Sequence, residues 1–326
     1  MSGVLRIWFD GEDLGRLRVA REPQALWETV LSLQMLRTRQ GGPTFARWRE
    51  RTAARVASTV SPEVLRTLRP LIPTQGYFPD FLTPAYSGPV AEGMAAVART
   101  PRQRFADEVE LLAAEQPADM RRDLPTWRAD TMHNVTNALA SYHRAAIGPY
   151  AQRMHALVDA DRAIRARALL DGGAEALLES LVPMARWRPP TLEVEYPVEQ
   201  ELRLGGRGLL LVPSVFCWHY PVTLLDPTLP PTLVYPVEHD AGLDSRVASS
   251  EDALAALVGS TRGEVLRQLD EAGCSTSELA RRLGISLASA SQHATVLRRA
   301  GLIVSRRAGN SMLHSRTPLG TALLCS

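Results

Sequence analysis

Between Ser275 and Leu302 lies a set of short polar side chains spaced to act together. At about 100° per residue, Ala288, Gln292, Thr295 and Arg299 fall on one side of a helix, with Ser289 to one edge and His293 at the margin. Ala290, Ala294 and Leu297 fall together on the opposite side, where a core would be. A glutamine amide can make two hydrogen bonds to adenine, and a threonine methyl can meet the methyl of thymine. Small neighbours let such a face approach base edges closely. Arg298, Arg299 and His293 are placed to meet phosphates. A solvated face on any helical hairpin has a similar composition, so the elements around it must decide.

Those elements are strongly punctuated. Ser275 with Glu278 reads as a capping box that opens a helix, and Leu279 and Leu283 share one face of it. Gly284 suits a left-handed stop, and Ser286 offers a hydroxyl to start a second helix that Gly301 ends. Helix, three-residue turn, helix is the arrangement that lays a second helix in the DNA major groove. Ser275, Thr276 and Ser286, at the two helix starts, are included among the candidate DNA-facing residues. Leu302–Ser305 then reads as a strand, Arg306–Asn310 as a turn carrying two positive charges, and Ser311–Thr317 as a returning strand. Such a hairpin would put Arg306, Arg307 and Asn310 at its tip. With His314 and Arg316 behind them, it could contact phosphate or enter the minor groove. Pro318–Leu324 reads as a closing helix.

Taken together, the run from Thr261 to Leu269, Ser277-Glu-Leu-Ala-Arg-Arg-Leu-Gly-Ile-Ser286, Ala290-Ser-Gln-His-Ala-Thr-Val-Leu-Arg-Arg-Ala-Gly-Leu302 and Thr317-Pro-Leu-Gly320 resemble an ArsR-type winged-helix transcriptional regulator over roughly residues 252–326. Gly76–Pro84, Arg165–Gly173 and Leu209–Phe216 resemble a long N-terminal domain of undefined role found ahead of such winged helices in GC-rich bacteria. The resemblance implies a DNA-binding regulator. Metal-sensing members of that family carry closely spaced cysteines in the helix before the recognition helix. Here Glu278–Leu283 has none, and Cys274 stands alone before it. A soft-metal site needs two to four converging thiolates or imidazoles, so no metal and no other cofactor is expected.

The composition bounds the remainder. With 326 residues, 45% apolar and 22% charged, the chain has room for two domains and a substantial core. No run of about 18 apolar residues marks a membrane span, and Met1–Trp8 lacks a signal-peptide pattern. Cys217, Cys274 and Cys325 form no disulfide framework, which fits a reducing cytoplasm. Every one of the 37 basic residues is arginine, an imprint of base composition before any taste for phosphate. Residues 251–326 hold nine arginines against six acidic residues, while the rest of the chain holds 28 against 29. The C-terminal part is therefore the expected nucleic-acid end, with weak and salt-sensitive non-specific affinity.

Read in order, Val4–Phe9 and Arg16–Val19 suggest a small hairpin. A helix follows Pro23, with Leu26, Val30, Leu33 and Leu36 as its stripe, then helices over 45–60 and 62–71. Ile72–Tyr86 is a proline-rich loop dense in aromatics that either wraps the core or lines a pocket, with Tyr77, Phe78, Phe81 and Tyr86 as candidate ligand contacts. Further helices are predicted over 90–99, 102–115, 124–147 and 150–170, the last with Met154, Leu157, Val158, Ile164 and Ala168 inward, and a short one over 174–181. Thr191–Tyr196 alternates as a strand. Glu201–Val212 reads as a hairpin about Gly205-Gly206, and Val215–Trp218 and Thr232–Val237 as further strands. Glu238–Ser250 looks like a linker.

Catalytic signals are thin. His133, Asn137 and His143 share one predicted helix, and His155 with Asp159 could pair a base with an orienting carboxylate, but surface pairs of this kind are common. On a strand, Cys217 and His219 would share a face, which is two ligands at most; a buried structural cysteine is the plainer reading. No metalloprotease helix, nucleophile elbow, phosphate loop or dinucleotide fingerprint occurs.

The expected molecule is a mainly helical α+β protein: a helical N-terminal domain with a small antiparallel sheet (1–250), serving effector sensing or dimerisation, then a winged-helix DNA-binding domain (251–326). It would act in the cytoplasm without enzymatic activity, as a homodimeric repressor on double-stranded DNA, with a small-molecule effector and no membrane partner. The competing expectation is a ligand-binding or enzymatic N-terminal domain whose winged helix contacts protein.

Overall fold

The computed structural model describes residues 3–86, 88–238, 258–269, 273–308 and 311–325. Two units emerge, Met1–Asp244 and Ser245–Ser326. In the first, β1 (Gly3–Trp8) and a two-residue β2 (Arg18–Val19) precede the helices α1 (Ala25–Arg37), α2 (Gly42–Thr59), α3 (Pro62–Leu71), α4 (Val90–Ala98), α5 (Arg102–Glu115), α6 (Thr131–Ala146) and α7 (Ala151–Glu179). The strands β3 (Ala185–Arg188), β4 (Thr191–Tyr196), β5 (Gln200–Arg203), β6 (Leu210–Ser214), β7 (Val222–Thr223) and β8 (Thr232–Pro236) follow. Of the expected linker Glu238–Ser250, residues 239–250 lie outside the described residues.

Helix α1 sits at the centre. Its predicted stripe is real but too narrow, because Leu26, Trp27, Val30, Leu31, Leu33 and Met35 are buried along with Glu28, Thr29 and Ser32. A helix covered on most sides must find partners for its polar groups. Thr29 donates to Ala25 O, Ser32 to Thr29 O, and the Glu28 carboxylate accepts from the Ser214 hydroxyl at 2.9 Å, Val215 N at 2.8 Å and Phe216 N at 3.0 Å. Those last bonds explain why 215–218 is not the strand the sequence suggests. Two of its backbone donors go to Glu28 and a third, from Cys217, goes to the Ser214 hydroxyl, so three successive donors are taken from any ladder. His219 follows with a φ of 64°, so Cys217 and His219 do not share a strand face.

The strands form two four-stranded sheets, neither of them a late hairpin. In one, the order is β3-β4-β1-β5, with β1 antiparallel to β4 and parallel to β5. In the other, the order is β2-β6-β8-β7, with β2, β6 and β8 parallel. The hairpin expected between β1 and β2 is absent because each strand enters a different sheet. The hairpin expected about Gly205-Gly206 fails likewise: β5 and β6 belong to different sheets, and the turn carries the chain across. Carboxylates fix that crossing, with Gly206 N bound to Asp10 and Gly208 N to the fully buried Asp13. At Gly208 (φ 72°) a Cβ would stand 2.5 Å from Arg16 O, so only glycine fits.

Two helical expectations also shift. Helix α6 begins at Thr131, not Leu124, because Pro125 and the Thr131 hydroxyl, bonded to Arg128 N and Thr126 O, hold an irregular approach. On α7, Ile164 is 53% exposed; the inward positions are Met154, Val158, Asp161 and Arg165. Asp161 binds Arg165 at 2.7 Å and accepts from the Tyr235 hydroxyl at 2.5 Å, so a buried ion pair stands where an apolar residue was expected. The helix breaks at Gly172 and Gly173, between the helices expected over 150–170 and 174–181. Among the described residues, no helix is long and apolar enough to cross a membrane.

Burial raises the Glu28 carboxyl to about 7, against the opposing pull of its three donors. The folded chain therefore binds this proton more tightly than the unfolded chain does. The associated stability is complete below the ordinary carboxylate range and is lost as pH rises through about 7. Urea unfolding of the first unit at pH 5.5 and 8.5 is expected to show that decline in the wild type and a flatter profile in Glu28→Gln, which does not titrate. Glu28→Ala, which strands three donors, is expected to cost about 3 kcal/mol or more at either pH.

Candidate nucleic-acid interface

The second unit is built on α8 (Ser260–Gln268), a short β9 (Cys274–Ser275), α9 (Thr276–Leu283), α10 (Leu287–Arg299), the strands β10 (Ile303–Ala308) and β11 (Ser311–Arg316), and α11 (Pro318–Cys325). Val265, Leu266, Leu269, Leu279, Ala290, Ala294, Leu297 and Ile303 form its core. The three residues of α10 assigned to the core by helical angle are thus all buried.

Each predicted punctuation mark has a visible bond. Ser275 caps α9 by accepting from Glu278 N at 3.2 Å. The reciprocal half of the box is replaced, since the Glu278 carboxylate takes Arg281 and Arg282 instead, and these, Arg282 first, hold it below its ordinary value. Gly284 is left-handed at φ 64°, and Ile285 N closes back onto Ala280 O, which ends α9. Ser286 then caps α10 by accepting from Ser289 N at 3.1 Å. These caps fix the angle at which α10 leaves the turn.

On α10, Ala288, Gln292, Arg298 and Arg299 are exposed, and Ser289, His293 and Thr295 are half-buried. Ser289 Oγ and His293 Nε2 are 3.2 Å apart, one turn from each other. Two residues that the sequence reading missed share this surface. Ser291 is exposed, and Val296, 39% exposed, lies four positions after Gln292. The helical angle alone would have found Val296; the habit of assigning valine to a core concealed it.

The wing is a three-stranded sheet, β10-β11-β9. Its register pairs Arg306 with Leu313, Arg307 with Met312 and Ala308 with Ser311. The arginines therefore lie on β10, not in the turn, because the ladder runs on to Ala308. Successive strand positions face opposite ways, so Arg306 and Arg307, both exposed, present to different sides of the wing. Asn310 lies outside the described residues.

His314 departs most from expectation. It is buried at 6% exposure, with Nε2 2.9 Å from Thr276 Oγ1 and Nδ1 2.8 Å from Ser305 Oγ. A side chain with both ring nitrogens engaged inside the fold cannot reach DNA, and Thr276, expected at the DNA face, is its partner. Arg316 is half-buried at the base of the wing, opposite Ile303, with its Nε shielded from water. Of the candidate DNA-facing residues, those on α10 and the two wing arginines keep solvent-accessible side chains without a framework role in these bonds. Ser275, Thr276 and Ser286 serve the framework.

In the first unit, the aromatic loop divides between core and cavity. Phe81 packs on Phe105, 5.5 Å between centroids, is 1% exposed and lines neither the cleft beside Tyr77 nor the hollow beside Tyr86, contrary to its place among the ligand candidates. Phe78 meets Trp27 edge-on and shows one side to a cleft of about 530 Å³ that Tyr77 also lines. Tyr86 borders a separate hollow of about 880 Å³. The catalytic candidates disperse. His133 bonds Asn137, and His143 Nδ1 bonds Thr29. His155 Nδ1 lies 2.7 Å from Ala151 O, while Asp159 pairs with Arg162. Cys217 is buried, with its thiol against Tyr220 O and Val234 O, and burial pushes its pKa far up. Among the described residues no three His, Cys, Asp or Glu converge as a metal site would need.

Residues 260–306 match a family model described as a helix-turn-helix domain, spanning α8 through Arg306 of β10. No curated protein and no solved structure matches the chain. The match supports a DNA-binding regulator with a winged helix-turn-helix.

Burial, and secondarily Arg298, holds the His314 imidazole below its ordinary pKa. Protonation therefore favours the unfolded chain, and this contribution to stability is present above the ordinary histidine pKa and lost as pH falls through and below it. His314→Ala is expected to destabilise the second unit by about 2 kcal/mol at neutral pH, by leaving two hydroxyls unpartnered, and to flatten that acid-side loss. Thermal melts across pH 5 to 8 check both. Lost DNA affinity with unchanged melting would instead return His314 to the interface.

Proposed function

We propose that this protein is a sequence-specific transcriptional repressor of the ArsR type that binds double-stranded DNA as a homodimer. The carrying observation is the outward surface of α10. Ala288, Gln292, Val296 and Arg299 are open to solvent and Ser289 and Thr295 are half-buried beside them, while Ala290, Ala294 and Leu297 are locked in the core behind them. In this reading Gln292, Thr295 and Ser289 read base edges, with Val296 able to meet a thymine methyl. Arg298, Arg299, Arg306 and Arg307 neutralise phosphates on either side.

A single recognition helix spans only a few base pairs, so two copies related by a two-fold axis, meeting successive major grooves about one turn apart, give a site of useful length. The operator is then an inverted repeat. The first unit, with the hollows beside Tyr77 and Tyr86, supplies the effector response or the dimer contact, and the protein works in the cytoplasm without catalysing a reaction. The lower acidity of residues 251–326 relative to the rest of the chain supports this division of labour.

Fluorescence anisotropy with DNA from the protein's own promoter against a scrambled duplex, at about 150 mM salt, where non-specific binding is suppressed, tests the reading. Gln292→Ala is expected to cost about 1–3 kcal/mol on the promoter site and little on the scrambled one. Arg306→Gln and Arg307→Gln are expected to weaken both duplexes alike and to reduce the salt slope by about one each. Equal weak binding of the wild type to both duplexes would overturn sequence-specific regulation, and a monomer bound to one half-site would overturn the dimer.

A further inference from the structure

The cleft beside Tyr77 has an unusual charge for this chain. Arginine supplies 37 of the 326 residues, yet among the eighteen described residues that line the cleft none is an arginine. The lining instead carries two carboxylates, Asp80 and Glu115, three tyrosines, Tyr77, Tyr196 and Tyr220, two threonines, and otherwise amides and apolar groups. It is assembled from distant parts of the first unit: the aromatic loop, the end of α5, the residues after β4, and the segment leading into β7.

Its electrostatics follow from how those carboxylates are held. Asp80 is 4% exposed, and one of its oxygens accepts from Leu225 N at 3.0 Å and Asp226 N at 2.8 Å. Glu115 accepts from Tyr77 N at 3.0 Å. The nearby cation is Arg104, which is committed to Glu108 at 2.6 Å, so that pair cancels and Asp80 and Glu115 remain in excess. Burial raises Asp80 to about 6, with Glu108 adding to the rise and Arg104 opposing it, which still leaves a carboxylate at neutral pH. Burial first, and then the charge of Asp80, holds the Tyr77 phenol above its ordinary value, so the phenol stays neutral. Its hydroxyl is shielded from water and makes no well-formed hydrogen bond.

We propose that this cleft binds a small organic cation, an ammonium group carried on an apolar or aromatic body. Carboxylates and tyrosine faces both attract such a charge, the latter most strongly where water is excluded. The prolines, valines and Leu225 accept the apolar body, and about 530 Å³ matches the size of ordinary small-molecule pockets. An anion meets two carboxylates and no guanidinium. The proposal rests on reading the first unit as the effector-responsive part, and it names the chemical class of the effector.

Isothermal titration of the full chain with benzyltrimethylammonium, with benzoate as the anionic counterpart, tests the site. Saturable binding of the cation and none of the anion is expected. Tyr220→Ala and Glu115→Gln are both at the exposed rim, and the glutamine keeps an acceptor for Tyr77 N, so both variants are expected to fold; each should weaken the cation by about tenfold. Circular dichroism confirms the fold of each variant. No saturable binding of the cation at millimolar concentration, equal binding of benzoate, or unchanged affinity in both variants would overturn the proposal. The same titrations repeated with promoter DNA separate the two levels. Cation binding that leaves DNA affinity unchanged upholds the site and removes the gating role of the first unit.

Discussion

Much of the first unit hangs on carboxylates that have left water to hold backbone N–H groups. Glu28 is the central case. It is fully enclosed on a helix covered on most sides, and it gathers the three donors of residues 214–216 that would otherwise be stranded at the end of a parallel strand. Asp13 holds Gly208 N, Asp80 holds the backbone at 225 and 226, and Asp161 joins Arg165 to Tyr235. For Glu28, Asp13 and Asp80 a side chain on one segment supplies what a missing ladder partner would have supplied; Asp161 instead satisfies buried side-chain donors. Removing any one leaves an orphaned donor in a dry place, which costs more than the bond itself gains. These are the ties by which helices written early in the chain fix loops written nearly two hundred residues later.

The second unit uses neutral groups for the same task. The imidazole of His314 spans the start of α9 and the wing strand β10, and the hydroxyls of Ser275, Ser286 and Thr317 close the ends of successive helices. These framework bonds are made by hydroxyls and one imidazole, and none of them uses an arginine of α10 or β10.

What could be read from the sequence depended on whether the signal was local. The limits of α3 and α5 and of β4 were legible because Ser61-Pro62, Pro101 and strict alternation announce them. The helix-turn-helix was legible for the same reason: serine caps, Gly284 and the core and outward sides of α10 are written within thirty residues. Strand partners were not, because alternation tells which residues share a face and says nothing of which strand lies alongside. Hence two hairpins were expected where β1, β2, β5 and β6 in fact join two sheets. At the candidate site, the outward placement of Gln292 and its neighbours was legible by angle, whereas Arg306 and Arg307 were expected in the turn and lie on β10, whose ladder runs on to Ala308. His314, Glu28 and Asp80 were opaque for one shared reason. A polar side chain is buried when partners from afar satisfy it, and those partners are not visible in its own neighbourhood.

The bridge through His314 bears on how a duplex would be met. Because it ties the first residue of α9 to Ser305 of the wing, the wing is braced against the helix pair and cannot swing independently of it. A braced wing acts as a caliper. The separation between the groove-reading helix and the strand arginines is set by the protein, and the duplex must conform to it. Sequences whose grooves already have that width bind without distortion, and stiffer ones meet an elastic penalty. Base pairs that no side chain touches would then still be weighed, through how readily they bend.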